Sequence, residues 1–541
     1  MGEAMSAFPR LLSLLAVFVM VAILAFPSSG STQTGPNNSG TPLWLLHALN
    51  YAGGISNGVR AYADPSLRNH VVSAGRTPPT TSSSLNNLQM NDETTPNLPE
   101  DETQVVLKPS NPMIAVAASN DYVSGGLWIG RTMDGGQHWS NYRATPTSSN
   151  GVRCFGGDPA LAYSQHDAAF YAAQLCFRGS LSEVHLWKSV DDGTTWTASN
   201  SGSVVFTNIR SDGSVDGSLF YDKELLAIDN NPSDAHYGRI YVTTIKFHML
   251  LPSGRSDFCP VQLAYTDNVP TSNPRGASWT RVAVVPDAPF SDTGPSANQW
   301  ALPVVDNQGG VDIAYAIEDC NTAYDRGLFF TRSTDGGNTF GSPAQIDKPG
   351  QFADNPNRAD LLPDKPYRTG LSPSLVFNAA KMTLSIVYAN DINRDISGSD
   401  ISFQQSSDYG ATWSDAKTIS ISADGSPAPN DQFYPWIAAD EAGNLHAIWY
   451  DNRNDPNNIL LETFQALSTD DGKTWTNFDI STQAWDGNQG FFACGCFIGD
   501  YNGLAASTKV IYPVWTDGRN SPGKPNGATD IFTNLEISGS S

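Results

Sequence analysis

Ser468-Thr469-Asp470-Asp471-Gly472-Lys473-Thr474-Trp475 is the stretch whose reading decides the fold. A hydroxyl residue, an aspartate two positions on, a glycine two further and an aromatic ring three after that describe a tight turn between two strands. The aspartate carboxylate accepts bonds from the turn's own amides. The glycine supplies a positive φ that a side chain resists, and the ring anchors the hairpin in the sheet behind it. The pattern occurs four more times, at Thr132–Trp139 around Asp134, Ser189–Trp196 around Asp191, Ser333–Phe340 around Asp335 and Ser406–Trp413 around Asp408. Successive aspartates stand 57, 144, 73 and 62 residues apart, and 144 is twice 72. Repeated turns at a regular spacing describe an array of similar β-units.

Between the turns a second pattern recurs. Its clearest copy runs from Tyr434-Pro435-Trp436-Ile437-Ala438-Ala439-Asp440 through Gly443-Asn444 to Leu445-His446-Ala447-Ile448-Trp449-Tyr450, and on through Ile459–Leu467 into the turn at Asp470. Each unit therefore holds four strands joined by hairpins. Seven such units can be laid along the chain from Thr103. The third has lost its turn motif, with Ala277-Ser278-Trp279-Thr280 in its place, and the seventh starts near Gly499-Asp500-Tyr501 and ends at Asp530–Ile537. Radial repetition of four-stranded sheets gives an all-β propeller, which avoids long exposed edges. The seventh unit is one strand short, and residues before Thr103 are expected to supply it. The turn is the Asp box, and over about four-fifths of its length the chain resembles the sialidase-like β-propellers with BNR repeats. That resemblance implies a single ring over 101–538. Seven blades are expected here, with six, the number in the family's catalytic domains, as the alternative.

Residues Leu11–Phe26 form an apolar run after Arg10 and before Pro27-Ser28-Ser29-Gly30. This reads as an export signal over 1–30, with an uncleaved anchor as the alternative. From 31 to 100 the composition turns to Ser, Thr, Pro, Asn and Gly, which is expected to form a flexible segment. One apolar island in it, Leu43-Trp44-Leu45-Leu46, can dock on the folded body. No later stretch is apolar enough to span a membrane. Fifty-four acidic against 31 basic residues give a net charge of -23, a field that repels nucleic acid and anionic lipid. In an exported chain the six cysteines suggest disulfides. Cys154 with Cys176 is the expected pair across one hairpin, and Cys259 with Cys320 would join neighbouring units. Cys494 and Cys496 form either a tight disulfide or a redox-sensitive pair. No Cys-x-x-Cys spacing supports zinc, so neither metal nor cofactor is expected. The one candidate for calcium is the loop Asp391-Ile392-Asn393-Arg394-Asp395, where the glycine falls late for such a site.

If strands are lettered a to d from the inside out, the Asp-box turns lie between c and d. The b–c loops and the links from d into the next a lie on the opposite face, where a central site belongs. Two b–c loops there share a sequence, Trp449-Tyr450-Asp451-Asn452-Arg453 and Trp515-Thr516-Asp517-Gly518-Arg519. The incoming links add Asp158, Asp222 with Lys223, Asp364 with Lys365, Tyr434 with Trp436, and Asp500 with Tyr501. Arginine grips a carboxylate bidentately, aspartate bonds hydroxyls or moves protons, and rings stack on sugar faces. These residues are therefore candidates for binding an extracellular glycan or a protein ligand. The competing reading is local, because Asp-x-Arg at a strand end also forms an ion pair that pins its own loop. The family's chemistry uses three arginines on the sugar carboxylate, a tyrosine nucleophile activated by a glutamate, and an aspartate as acid/base. By position the resemblance offers Arg453 and Arg519 as carboxylate ligands, Asp222 as acid/base, and Tyr450 or Tyr501 with Glu462 or Glu318 as the nucleophile pair. The family's Arg-Ile-Pro element is missing, since the first unit reads Val105-Val106-Leu107-Lys108-Pro109. Two functions follow as expectations for a monomeric, secreted or cell-surface protein. One is a glycoside hydrolase of exo-sialidase type, and the other is a non-catalytic propeller that binds glycan or a partner protein.

Overall fold

The computed structural model describes residues 40–51, 54, 55, 58, 59, 62, 86–92, 98–197, 202–286, 299–322, 325–347, 362, 365–390, 398–489, 497–521 and 528–535. Seven antiparallel sheets are present, each built on four strands, which pair in sequence order in all but the seventh. Their innermost strands are Glu100–Leu107, Ala160–Ser164, Leu219–Ile228, Gln299–Val305, Ser374–Asn378, Gln432–Ala439 and Gly503–Ala506. Each packs against the next, and the seventh packs against the first, so the sheets form a closed seven-bladed ring. Closure uses the strand expected from before Thr103. Asn87–Gln89 pairs with Asp530–Asn534 of blade 7, placing Asn87 opposite Asn534.

Blades that pack face to face bury both sides of their middle strands, which explains the residues found there. Every residue of Ala115–Asp121 and of Leu445–Asp451 is buried. Small alanines fill the crowded positions near the axis, whereas Trp128, Trp187, Trp449 and Trp515 fill the wider space between blades.

All five turns join third to fourth strands with one geometry. At Asp470, the Ser468 hydroxyl donates to the carboxylate at 3.0 Å, the Thr474 amide donates at 2.8 Å, and the Gly472 amide donates to Ser468 Oγ at 2.9 Å. Asp134, Asp191, Asp335 and Asp408 repeat the arrangement.

Cys154 is bonded to Cys176 within blade 2, and Cys259 to Cys320 between blades 3 and 4, as the spacing suggested. Both bonds fit an oxidising, extracellular setting. The export signal, the calcium-like loop at Asp391, Cys494 and Cys496 lie outside the described residues. Among the described residues no helix is long and apolar enough to cross a membrane.

The stretch 31–100, read above as flexible, departs from that reading in part. Leu43–Asn50 is a helix, and Asn87–Gln89 is the closing strand. The helix carries the apolar island expected to dock, and a few large side chains, not average hydropathy, hold it. Trp44 keeps 4 % of its surface, and Ile55, Val59 and Tyr62 are buried as well.

Candidate functional site

The innermost strands share a feature that no sequence motif marks. In blades 1, 3, 4 and 6 the register with the second strand slips by a bulge at the mouth end. The residue in each slip takes a left-handed backbone: Glu102, Lys223, Trp300 and Tyr434. Asp158 and Ser372 do so just before the innermost strands of blades 2 and 5. A bulge re-aims a side chain, and here it brings residues from several blades together on the axis.

Lys223 is the hub. Its Nζ lies 2.5 Å from Asp500 Oδ2 and 3.2 Å from both Glu102 Oε1 and Asp158 Oδ2, with the Trp300 ring 5.2 Å away. Arg368 closes the other side of Asp500, its Nε donating to Oδ1 at 2.9 Å and its Nη2 to Oδ2. Burial works to raise Asp500, but the charges of Arg368 and Lys223 outweigh it and hold the carboxyl well below its usual range. Around this unit six carboxylates (Asp101, Glu102, Asp158, Asp222, Glu224 and Asp500) face two cations, all of them buried. Asp222 and Glu224 have no hydrogen-bond partner on either carboxylate oxygen among the described residues. Burial, then the charge of Asp158, pushes Asp222 up to about 8 and Glu224 well above the carboxylate range. The aromatic candidates stand around the cluster. The Tyr434 hydroxyl donates to Arg368 O, Tyr501 donates to Pro159 O at 3.4 Å, and Trp436 packs 6.2 Å from Tyr501.

Sequence reasoning thus brought Asp158, Asp222, Lys223, Tyr434, Trp436, Asp500 and Tyr501 to one place. It missed Glu102, Glu224, Trp300 and Arg368. Arg368 lies on the same incoming link as Lys365, three residues on. Lys365 itself turns away to bond Asp431 Oδ2 at 2.5 Å.

The other expected members do not join the cluster. Arg453 donates through Nε and Nη2 to Asp451 Oδ2 at 2.8 and 2.6 Å, and Trp449 Nε1 donates to the same oxygen at 2.8 Å. Arg519 repeats this with Asp517 Oδ2 at 2.7 Å and Trp515 Nε1 at 2.9 Å. The guanidinium groups lie over Phe464 and Phe532, at 4.0 and 4.3 Å. Each of these arginines thus bonds the aspartate of its own loop, the local arrangement weighed above against a role on a sugar carboxylate. The Tyr450 hydroxyl donates to Thr516 O at 2.7 Å, which ties blade 6 to blade 7. Glu462 accepts from Asn454 Nδ2 at 2.6 Å, and Glu318 accepts from the Gly54 amide at 3.3 Å.

That last contact belongs to the N-terminal segment, which crosses the loop face over the cluster. Gly54 O also accepts from Arg368 Nη1 at 2.9 Å. Beside blade 6, a cleft of about 810 Å3 stays open, lined by Ile421–Gly425, Arg453, Asn454, Phe464 and Trp475–Asp479. Behind it, burial and the charge of Asp479 push Glu462 up to about 7.

A seven-bladed propeller with buried charged residues gathered at its axis and a cleft beside blade 6 is the class these features define. No family model matches the chain, and no curated protein matches its sequence. Among solved structures it is similar to a protein of unknown function from Dyadobacter fermentans, with a TM-score of 0.44 and 11% identity over 72% of this chain and 96% of that one. It is similar to the Hadza microbial sialidase Hz136, with a TM-score of 0.41 and 11% identity over 78% and 73% of the two chains. A third is the α-L-arabinanase of Penicillium chrysogenum complexed with arabinobiose, with a TM-score of 0.40 and 12% identity over 87% and 99%.

Proposed function

We propose that this chain is an exported, non-hydrolytic glycan-binding propeller whose ligand enters the cleft beside blade 6. The observation that carries the reading is the pairing of Arg453 and Arg519 with their own aspartates. It engages, within their own loops, the two arginines offered for the three-arginine carboxylate site of an exo-sialidase. The cations on the axis, Lys223 and Arg368, both pair with Asp500, and Lys223 also with Glu102 and Asp158. The cleft offers what the axis lacks. It has a volume in the range of small-ligand pockets, aromatic walls in Phe464, Trp475 and Phe478, and amide and hydroxyl groups in Asn454, Asn477 and Thr476.

The test is a glycan array probed with the chain from Ser31 onward, run beside a fluorogenic sialoside. Phe478→Ala and Asn454→Ala are expected to weaken glycan binding about tenfold each while the melting transition holds, with no sialoside turnover. Turnover that Arg368→Met abolishes would overturn the reading in favour of hydrolysis at the axis. Glycan binding indifferent to both cleft substitutions would overturn the assignment of the cleft.

A further inference from the structure

The segment over the axis is held as a bound peptide is held, not as a strand of the ring. Its described residues between Leu43 and Tyr62 add no strand to any of the seven sheets. Two aromatic anchors fix its ends. Trp44 packs at 5.4 Å from Phe177 and 5.7 Å from Phe220 while its Nε1 donates to Gly179 O at 2.6 Å. Tyr62 stacks on Tyr122 at 4.8 Å and on Phe155 at 4.9 Å. Between them the Gly54 residue is clamped on both of its backbone groups, the amide by Glu318 and the carbonyl by Arg368.

Gly54 has φ +82°, and a Cβ there would sit 2.5 Å from Phe247 Cε1, so the clamp accepts glycine only. Buried aromatic anchors flanking a main-chain clamp are the usual hot-spot layout of peptide recognition. The contacts come from five successive blades, through Tyr122, Gly179, Gly254, Glu318 and Arg368. The ring does not need the segment for closure, because the closing strand Asn87–Gln89 follows it in the chain.

We propose that the mouth of this propeller is a peptide-binding site, occupied in cis by the described residues between Leu43 and Tyr62 of the chain itself and able to take a glycine-centred peptide with flanking aromatic residues from another polypeptide. The site is distinct from the glycan cleft, so either assignment can fail alone. Tethering gives the internal segment a high effective concentration, and cutting the tether removes that advantage without touching a contact.

The experiment places a sequence-specific protease site within residues 77–84 of the full chain and cleaves the folded protein. A fluorescent synthetic peptide of residues 42–63 is then added in excess. The expected result is a ring that keeps its melting transition and a cut segment that exchanges for the added peptide. The same peptide carrying Gly54→Ala should bind about tenfold more weakly. Loss of the folded transition on cleavage would overturn the proposal, because the segment would then be part of the core. Failure to exchange against excess peptide, or equal binding by the Gly54→Ala peptide, would overturn it too.

Discussion

Arg519 shows how one side chain can serve a loop while standing where a ligand-binding residue would stand. Its guanidinium bonds Asp517 at 2.7 Å, Thr482 at 2.8 Å and Asn87 at 3.0 Å, and covers the Phe532 ring. Asp517 keeps 1% of its side-chain surface, so removing the guanidinium leaves a buried charge without its counter-ion. Arg519→Ala is therefore expected to cost about 3 kcal/mol in urea unfolding. Glycan binding by the fraction that stays folded should be unchanged. A variant of unaltered stability with lost glycan binding would return Arg519 to the ligand. The Asp-x-Arg spacing places this arginine on the loop face and offers the pair with Asp517 as one of two readings. What no local pattern encodes is the rest of its neighbourhood, Phe532, Thr482 and Asn87, the last more than four hundred residues away. Asp158, Lys223 and Asp500 were legible for the opposite reason, because each lies on or just before an innermost strand and so must stand near the axis.

Turns are the elements the sequence states most fully, since every bond in them spans four residues or fewer. Their function in the ring is less visible. The glycine two residues after each turn's aspartate lies against the preceding blade, and Gly410 is the tightest, with φ +85° and an added Cβ 2.0 Å from Phe330 Cε1. Gly410→Ala should cost upwards of about 2 kcal/mol, combining backbone strain with overpacking. One position earlier, Asp192, Tyr409 and Asp471 take positive φ with a side chain present. Each reaches the preceding blade, through Lys108, Arg332 and Gln405 respectively. Asp471→Gly exchanges that polar contact for relief of the left-handed strain, so chemical unfolding should register a change within about 1 kcal/mol. A large loss there would mean that the cross-blade contact dominates. The left-handed residues of the innermost strands were illegible by contrast. Glu102, Asp158, Lys223, Trp300, Ser372 and Tyr434 share a backbone conformation and no chemistry.

At the scale of the whole molecule, two populations of carboxylates act in opposite directions with pH. The first is buried and raised. Desolvation lifts Asp222 to about 8 and Glu462 to about 7, and Glu102 and Glu224 stand well above their usual range. In the unfolded chain these groups ionise near pH 4. Between about pH 4 and 8 the folded state therefore holds more protons than the unfolded state, and stability falls as pH rises. The second population is lowered. The Thr339 hydroxyl bond leads in holding Asp335 at about 2, and the Thr474 bond does the same for Asp470. Their contribution is complete above about pH 4 and fades as pH falls towards 2. The net charge of -23 adds self-repulsion on the alkaline side. Together these place the maximum of stability near pH 4 to 5, below the range where most proteins peak. Calorimetric melting temperatures from pH 3 to 9 should rise to that maximum and decline steadily through neutrality. Asp222→Asn should leave the side below pH 4 unchanged and flatten the decline between about pH 4 and 8, because its amide has no proton to lose on unfolding there. A maximum at pH 7 or above, or a decline that Asp222→Asn does not flatten, would mean that the axial carboxylates are ionised and solvated in the folded ring.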